Sequence, residues 1–204
     1  MAMGGWRFRV HPAEVDESPL SGESPETHVV RLAVEKARAC AAQLKEDVTI
    51  LGADTVVVND DEILGKPGDP KEAEAMLKKL GGHIHRVCTG IAVIHPARDV
   101  LLTDLCITGV PMRSYSDAEI QAYILTGDPL DKAGAYAIQH TGFHPVESLS
   151  GCFASVMGLP LCHLARTLNK LGFVGKKDVA AGCKREFAYS CPISQKVLAG
   201  ANLG

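Results

Sequence analysis

Apolar positions along this chain recur with two periods, one helical and one alternating or continuous. From Ser24 to about Leu44, the residues Val29, Val30, Ala33, Ala37, Cys40, Ala41 and Leu44 fall on one helical face. Ser24 followed by Pro25 is a start signal, an acceptor with proline at the first helical position. A second helix opens at Asp69-Pro70-Lys71-Glu72, repeats Ala73, Met76, Leu77 and Leu80, and stops at Gly81. Ser116-Asp117-Ala118-Glu119 is another capping box, for a helix to about Leu125, and a last helix is predicted from about Leu159 to Leu171. Between these lie strand-like runs. Val48 to Val58 is predicted as a strand that turns at Asn59-Asp60-Asp61 into Glu62-Ile63-Leu64 as a hairpin. Val87–His95 and Leu101–Met112 read as two strands around Pro96-Ala97-Arg98-Asp99. Arg7-Phe8-Arg9-Val10 reads as the end of a strand, and a short strand is expected around Ala135–Ile138.

Strands and helices alternate while hairpins are mixed in, which predicts an α/β fold with a mixed sheet flanked by helices. The chain has 204 residues, 46% of them hydrophobic, enough for one well-buried domain and short for two. That domain is placed at residues 1–172, and residues 173–204, with little periodicity, are read as a disordered tail outside the core. A formal charge of −3 gives no electrostatic footprint for polymeric nucleic acid or an anionic membrane, and no apolar stretch approaches the length of a membrane span. With no signal-peptide pattern at the N-terminus, a cytoplasmic protein is expected. Seven scattered cysteines without C-x-x-C spacing argue against a disulfide framework or a zinc site, and Cys183 and Cys191 are read as exposed thiols of the tail.

The chemistry concentrates in Gly52-Ala53-Asp54-Thr55-Val56-Val57-Val58, where one carboxylate interrupts an apolar, β-branched run. Burying Asp54 is costly unless a cation, a metal or a reacting water stands beside it, with a cap or bulge beside Gly52 as the plainer alternative. Lys36 falls on the apolar stripe of the first helix, three residues after Ala33 and four before Cys40, so it either snorkels or meets an anion. Lys66 is pinned by Pro67 into extended geometry that suits phosphate binding, with a plain loop lysine as the alternative. Glu14, Asp16 and Glu17 lie in an acidic turn that by itself reads as solvated; Glu14 and Glu17 stay candidates for a metal ligand only through a family resemblance. His83 and His85 stand at strand spacing without a third ligand and are read as a polar strand edge.

The ordered strings Gly52-Ala53-Asp54-Thr55-Val56-Val57, Gly65-Lys66-Pro67, Leu80-Gly81-Gly82-His83, Val87-Cys88-Thr89-Gly90, Asp131-Lys132-Ala133-Gly134-Ala135-Tyr136-Ala137-Ile138-Gln139 and Gly158-Leu159-Pro160-Leu161 resemble the Maf family of nucleotide pyrophosphatases over roughly residues 8–172. The resemblance implies an elongated, bent mixed sheet with a cleft between two lobes. It implies hydrolysis of a nucleoside triphosphate to the monophosphate and pyrophosphate, with a divalent cation, Mg²⁺ or Mn²⁺, as cofactor. It gives Asp54 the roles of proton acceptor and metal ligand, and Lys36 and Lys66 those of phosphate ligands. The Ala-Tyr-Ala-Ile-Gln string resembles the branch acting on dTTP and UTP, with Gln139 reading the base through its amide and Thr55 as companion. A homodimer stays open, as does a different class of role, a non-catalytic regulator of the septum-formation-inhibitor type.

Three departures qualify the resemblance. Family members carry a strand and a Ser-x-Ser-Pro-Arg-Arg loop ahead of the first helix, and this element has no counterpart in a chain that starts Met1-Ala2-Met3-Gly4-Gly5-Trp6-Arg7. Either a start site further upstream or a truncated isoform of low activity accounts for it. Arg7 and Arg9 do not match that motif and are not read as substitutes. Ser155 stands where asparagine is usual, and His140 where glycine is common.

Overall fold

The computed structural model describes residues 1–44 and 46–204. Helix α1 (Pro25–Gln43) starts where Ser24 accepts a hydrogen bond from the Thr27 amide. Strand β1 (Ile50–Asn59) turns through Asp60, at a φ of 52°, into the short β2 (Glu62–Leu64). Helix α2 (Pro70–Leu80), capped by Asp69 on the Lys71 and Glu72 amides, leads to β3 (Ile84–His95) and β4 (Val100–Pro111). The Ser116–Glu119 capping box opens α3 (Asp117–Ile124), followed by α4 (Phe153–Val156), α5 (Leu161–Asn169), α6 (Val179–Phe187) and α7 (Ser194–Leu198).

The sheet order is β2-β1-β3-β4, and every pairing is antiparallel. The expectation of an α/β fold with helices flanking a sheet holds, but among the described residues no parallel pair makes that sheet mixed. Arg7–Val10 is extended chain outside any ladder, and the Ala135–Ile138 segment is a tight turn followed by coil rather than a strand. In consequence, β1 pairs with β2 only through Val57–Asn59, and its Ile50–Val56 edge has no strand partner among the described residues.

Alternation sends neighbouring residues of β1 to opposite faces. Val29, Ala33 and Ala37 of α1 pack on one face with Ile50, Val56, Val58, Cys88 and Ala92. On the other, α5, α6 and α7 bury Ile91, Val93, Cys106, Leu164 and Leu168. Residues 173–204 differ from the expected tail: α6 and α7 contribute buried Val179, Cys183 and Val197 to that layer, and Arg166 of α5 holds the Ala201 carbonyl. The sequence signal was Asp178, which caps the Ala180 and Ala181 amides. Cys183 is therefore buried rather than exposed. His85 is likewise not at a polar edge; it is buried and bonded to the Tyr136 hydroxyl at 2.8 Å.

Candidate active site

Two glycines allow α1 to lie against the sheet at Asp54. A Cβ on Gly52 would fall 2.1 Å from the Ala33 carbonyl oxygen, and one on Gly90, the cross-strand partner of Asp54, 2.6 Å from the Val29 carbonyl carbon. With Ala33 and Ala37 facing them, helix and strand approach closely enough for Lys36 to reach the strand. The Lys36 ammonium donates to Asp54 Oδ1 at 2.6 Å and stands 2.6 Å from Glu17 Oε1. The Asp54 side chain is 8% exposed, that of Lys36 22%, and that of Glu17 60%, so the centre grades from interior to solvent. Burial by itself pulls the Lys36 pKa down, but the hydrogen bonds to Asp54 and Glu17 outweigh it and hold the ammonium above its ordinary value.

Glu17 is delivered by a turn clamped to α1. Asp16 accepts from the Ser18 amide, and Arg31 donates to the Ser18 carbonyl and, through two nitrogens, to Glu23. Glu23 also faces His28, and the Arg31 guanidinium beside it draws its carboxyl down to about 2. The turn is thereby fixed by charge-assisted bonds.

A cleft of about 810 Å³ opens on the unpaired edge of β1, a size that suits a nucleotide. Its apolar wall includes Leu51, Ala53 and Leu159, and its polar side carries Lys36, His11, Arg9 and Arg7. The placement of the two arginines differs from the sequence reading, which set them aside; no motif signalled it, because it follows from how the N-terminal residues dock. Met1, Met3 and Trp6 pack against the α5–α6 layer, and the Lys177 amide donates to the Gly4 carbonyl, so the following residues run along the cleft.

The other sequence-selected residues are dispersed. Thr55 lies on the opposite face from Asp54, its hydroxyl 2.9 Å from that of Thr89, which in turn donates to the Ser155 carbonyl at 2.9 Å. Lys66 and Gln139 are exposed, and neither has a side-chain hydrogen bond or ion pair among the described residues. Lys66 follows β2, whose last paired residue, Leu64, stands opposite Val57 of β1. The Gly134 amide on the Gly65 carbonyl ties the turn before Tyr136 to this loop. Glu14 is exposed and has no polar side-chain partner among the described residues, so Glu17 alone of the acidic pair joins the centre. The buried hydroxyl of Ser155 has no hydrogen-bond partner among the described residues.

Asp54 and Glu17 offer two hard oxygen donors converging on one cation, a set that fits Mg²⁺ or Mn²⁺ with water and phosphate oxygens filling the remaining positions. Among the described residues no group of three or more His, Cys, Asp or Glu side chains gathers to enclose a metal fully. No helix of the described residues is long and apolar enough to cross a membrane.

Comparison with known proteins adds independent findings. A family model described as Maf-like protein matches residues 1–171. A relative from Geobacter sp. (strain M21), named dTTP/UTP pyrophosphatase, is 48% identical over 171 residues, 84% of this chain and 88% of the relative. Proteins of the same name from Citrifermentans bemidjiense and Clostridioides difficile (strain 630) are 47% and 43% identical, covering 84% and 80% of this chain and 88% and 84% of their own length.

Proposed function

Because this chain belongs to the Maf-like protein family, we propose that it is a nucleoside triphosphate pyrophosphatase that converts dTTP and UTP to the monophosphate and pyrophosphate. The observation that carries the site assignment is the Glu17–Lys36–Asp54 centre, whose lysine also lines a nucleotide-sized cleft.

Asp54, held by Lys36, accepts the proton of a water whose oxygen attacks the α phosphorus. As that P–O bond forms, the bond from the α phosphorus to the bridging oxygen breaks, and pyrophosphate leaves with the electron pair. Lys36 orients the carboxylate and offers positive charge to the phosphate oxygens as charge builds on them. A divalent cation, Mg²⁺ or Mn²⁺, bound by Asp54 and Glu17 would neutralise phosphate charge and favour the ionised form of bound water. Lys66, exposed and without an ion-pair partner among the described residues, contributes a second phosphate contact. Gln139, exposed and with no side-chain hydrogen bond among the described residues, reads the base edge. Thr55 serves as a positioning residue: through Thr89 and the Ser155 carbonyl it ties β1 to the turn that carries Leu159 onto the cleft.

The test is a substrate panel of dTTP, UTP, CTP and 7-methyl-GTP with Mg²⁺ or Mn²⁺, products separated by anion exchange. Monophosphate and pyrophosphate from dTTP and UTP support the proposal. Diphosphate with orthophosphate, or no turnover by folded protein, counts against it.

A further inference from the structure

The Glu17–Lys36–Asp54 centre poses an electrostatic problem for the substrate just assigned. One ammonium is shared by two carboxylates, so the group as a whole is anionic, and a triphosphate is a polyanion. Part of that repulsion has to be met by cations elsewhere on the cleft. Of its other basic residues, Arg9 is engaged with Glu46 at 2.6 Å and His11 with Gln43 at 2.8 Å. Arg7 lines the same cleft, is exposed, and has no ion pair among the described residues.

Its placement has a structural root. The preceding residues form a short 3-10 turn (Ala2–Gly4) closed by Gly5 at a φ of 73°, where a side chain would be strained. Gly175 packs so closely on this turn that a Cβ there would fall 2.9 Å from the Gly4 carbonyl oxygen and 3.1 Å from the Trp6 ring. Trp6 thus fixes the point from which Arg7 departs, so Arg7 enters the cleft margin from a packed anchor.

We propose that Arg7 is a phosphate-binding residue of this cleft, gripping the phosphates that leave as pyrophosphate while Asp54 and Lys36 address the α phosphorus. The inference rests on the pyrophosphatase reading for its substrate. A guanidinium suits the task because its planar fork donates two parallel hydrogen bonds to phosphate oxygens and stays charged at any working pH. Arg7 binds phosphates that are released, so its contribution appears in substrate binding more than in turnover.

The experiment compares wild type, Arg7→Ala, Arg7→Lys and the charge control Arg98→Ala, which removes an exposed arginine from the turn between β3 and β4. Kinetics with UTP are paired with calorimetric binding of inorganic tripolyphosphate, a readout independent of turnover. Arg7→Ala is expected to raise KM for UTP and weaken tripolyphosphate binding about tenfold or more, with a much smaller fall in kcat. Arg7→Lys is expected to be intermediate, Arg98→Ala to match wild type, and the salt dependence of binding to be shallower in Arg7→Ala. Equal tripolyphosphate affinity in wild type and Arg7→Ala, both folded by circular dichroism, overturns the inference. Failure of wild type to turn over UTP counts against the substrate assignment instead, and the calorimetric comparison still decides Arg7.

Discussion

Gly52 lies directly beneath Ala33, so close that a Cβ at position 52 would fall 2.1 Å from the Ala33 carbonyl oxygen. That contact sets the distance between α1 and β1 and hence whether Lys36 reaches Asp54. Gly52→Ala is expected to push the helix outward and to cost about 2 kcal/mol or more of stability. It should also lower activity at temperatures where the variant stays folded. Denaturant unfolding and UTP turnover measured together check this; a fully active, equally stable Gly52→Ala would contradict the close-approach argument.

Replacing Lys36 with methionine keeps the stem and removes the charge. The nearly buried Asp54 then faces Glu17 without a shared cation. A loss of about 1–2 kcal/mol of stability is expected, moderated by the exposed Glu17 end, together with a fall in kcat of about a hundredfold or more. The ammonium pKa is raised in the fold, so its stabilising contribution is present through neutral pH and is lost only as pH rises beyond its ordinary value of 10.5. Alkaline unfolding of the wild type against Lys36→Met reads that sign.

His85 supplies a pH dependence in the acid range. Burial pushes its pKa from 6.5 to about 4, because the imidazolium is poorly solvated beside the Tyr136 ring. Between these values the unfolded chain binds the proton and the folded chain does not, so stability falls as pH drops from 6.5 towards 4. The expected loss is about 3 kcal/mol across that window. His85→Leu, whatever its absolute stability, is expected to show a flatter profile between pH 6.5 and 4; an unchanged slope would remove His85 as its source.

Arg166 ties the C-terminal segment to the sheet. It donates to both oxygens of buried Asp104, at 2.6 and 2.5 Å, and to the Ala201 carbonyl. Arg166→Ala leaves the Asp104 carboxylate without its cation, bonded only to the Leu105 amide and the Thr167 hydroxyl, and frees the last residues, at a cost of about 3 kcal/mol. Limited proteolysis is expected to cleave within residues 194–204 sooner than in wild type, and equal protection would show that the packing of Ile193, Val197 and Leu198 holds the segment without Arg166.

Much of this was legible in the chain because it is local. Ser24, Asp69 and Ser116 each cap the helix their spacing predicted, and the carboxylate of the β-branched run did find a cation, supplied by the lysine on the apolar stripe of α1. What the residues hid depends on distant partners. Four alternating residues at Arg7–Val10 cannot distinguish a strand from extended chain that meets no ladder, and here the edge they face stays unpaired. The short α6 and α7 have little periodicity of their own and are organised by α5. Thr55 faces away from Asp54, as adjacent strand residues do, and its partners Thr89 and Ser155 come from elsewhere in the chain, so its surroundings are not written in the local sequence.

The most direct test of the account is the turnover of UTP and dTTP by Asp54→Asn beside wild type, with Mg²⁺ present and folding verified by thermal unfolding. Asparagine keeps the size of the side chain and an oxygen for Lys36 but cannot accept the proton of water. Wild type is expected to release pyrophosphate, and the variant to lose about a hundredfold or more in kcat. A folded Asp54→Asn that releases pyrophosphate at the wild-type rate would contradict the account.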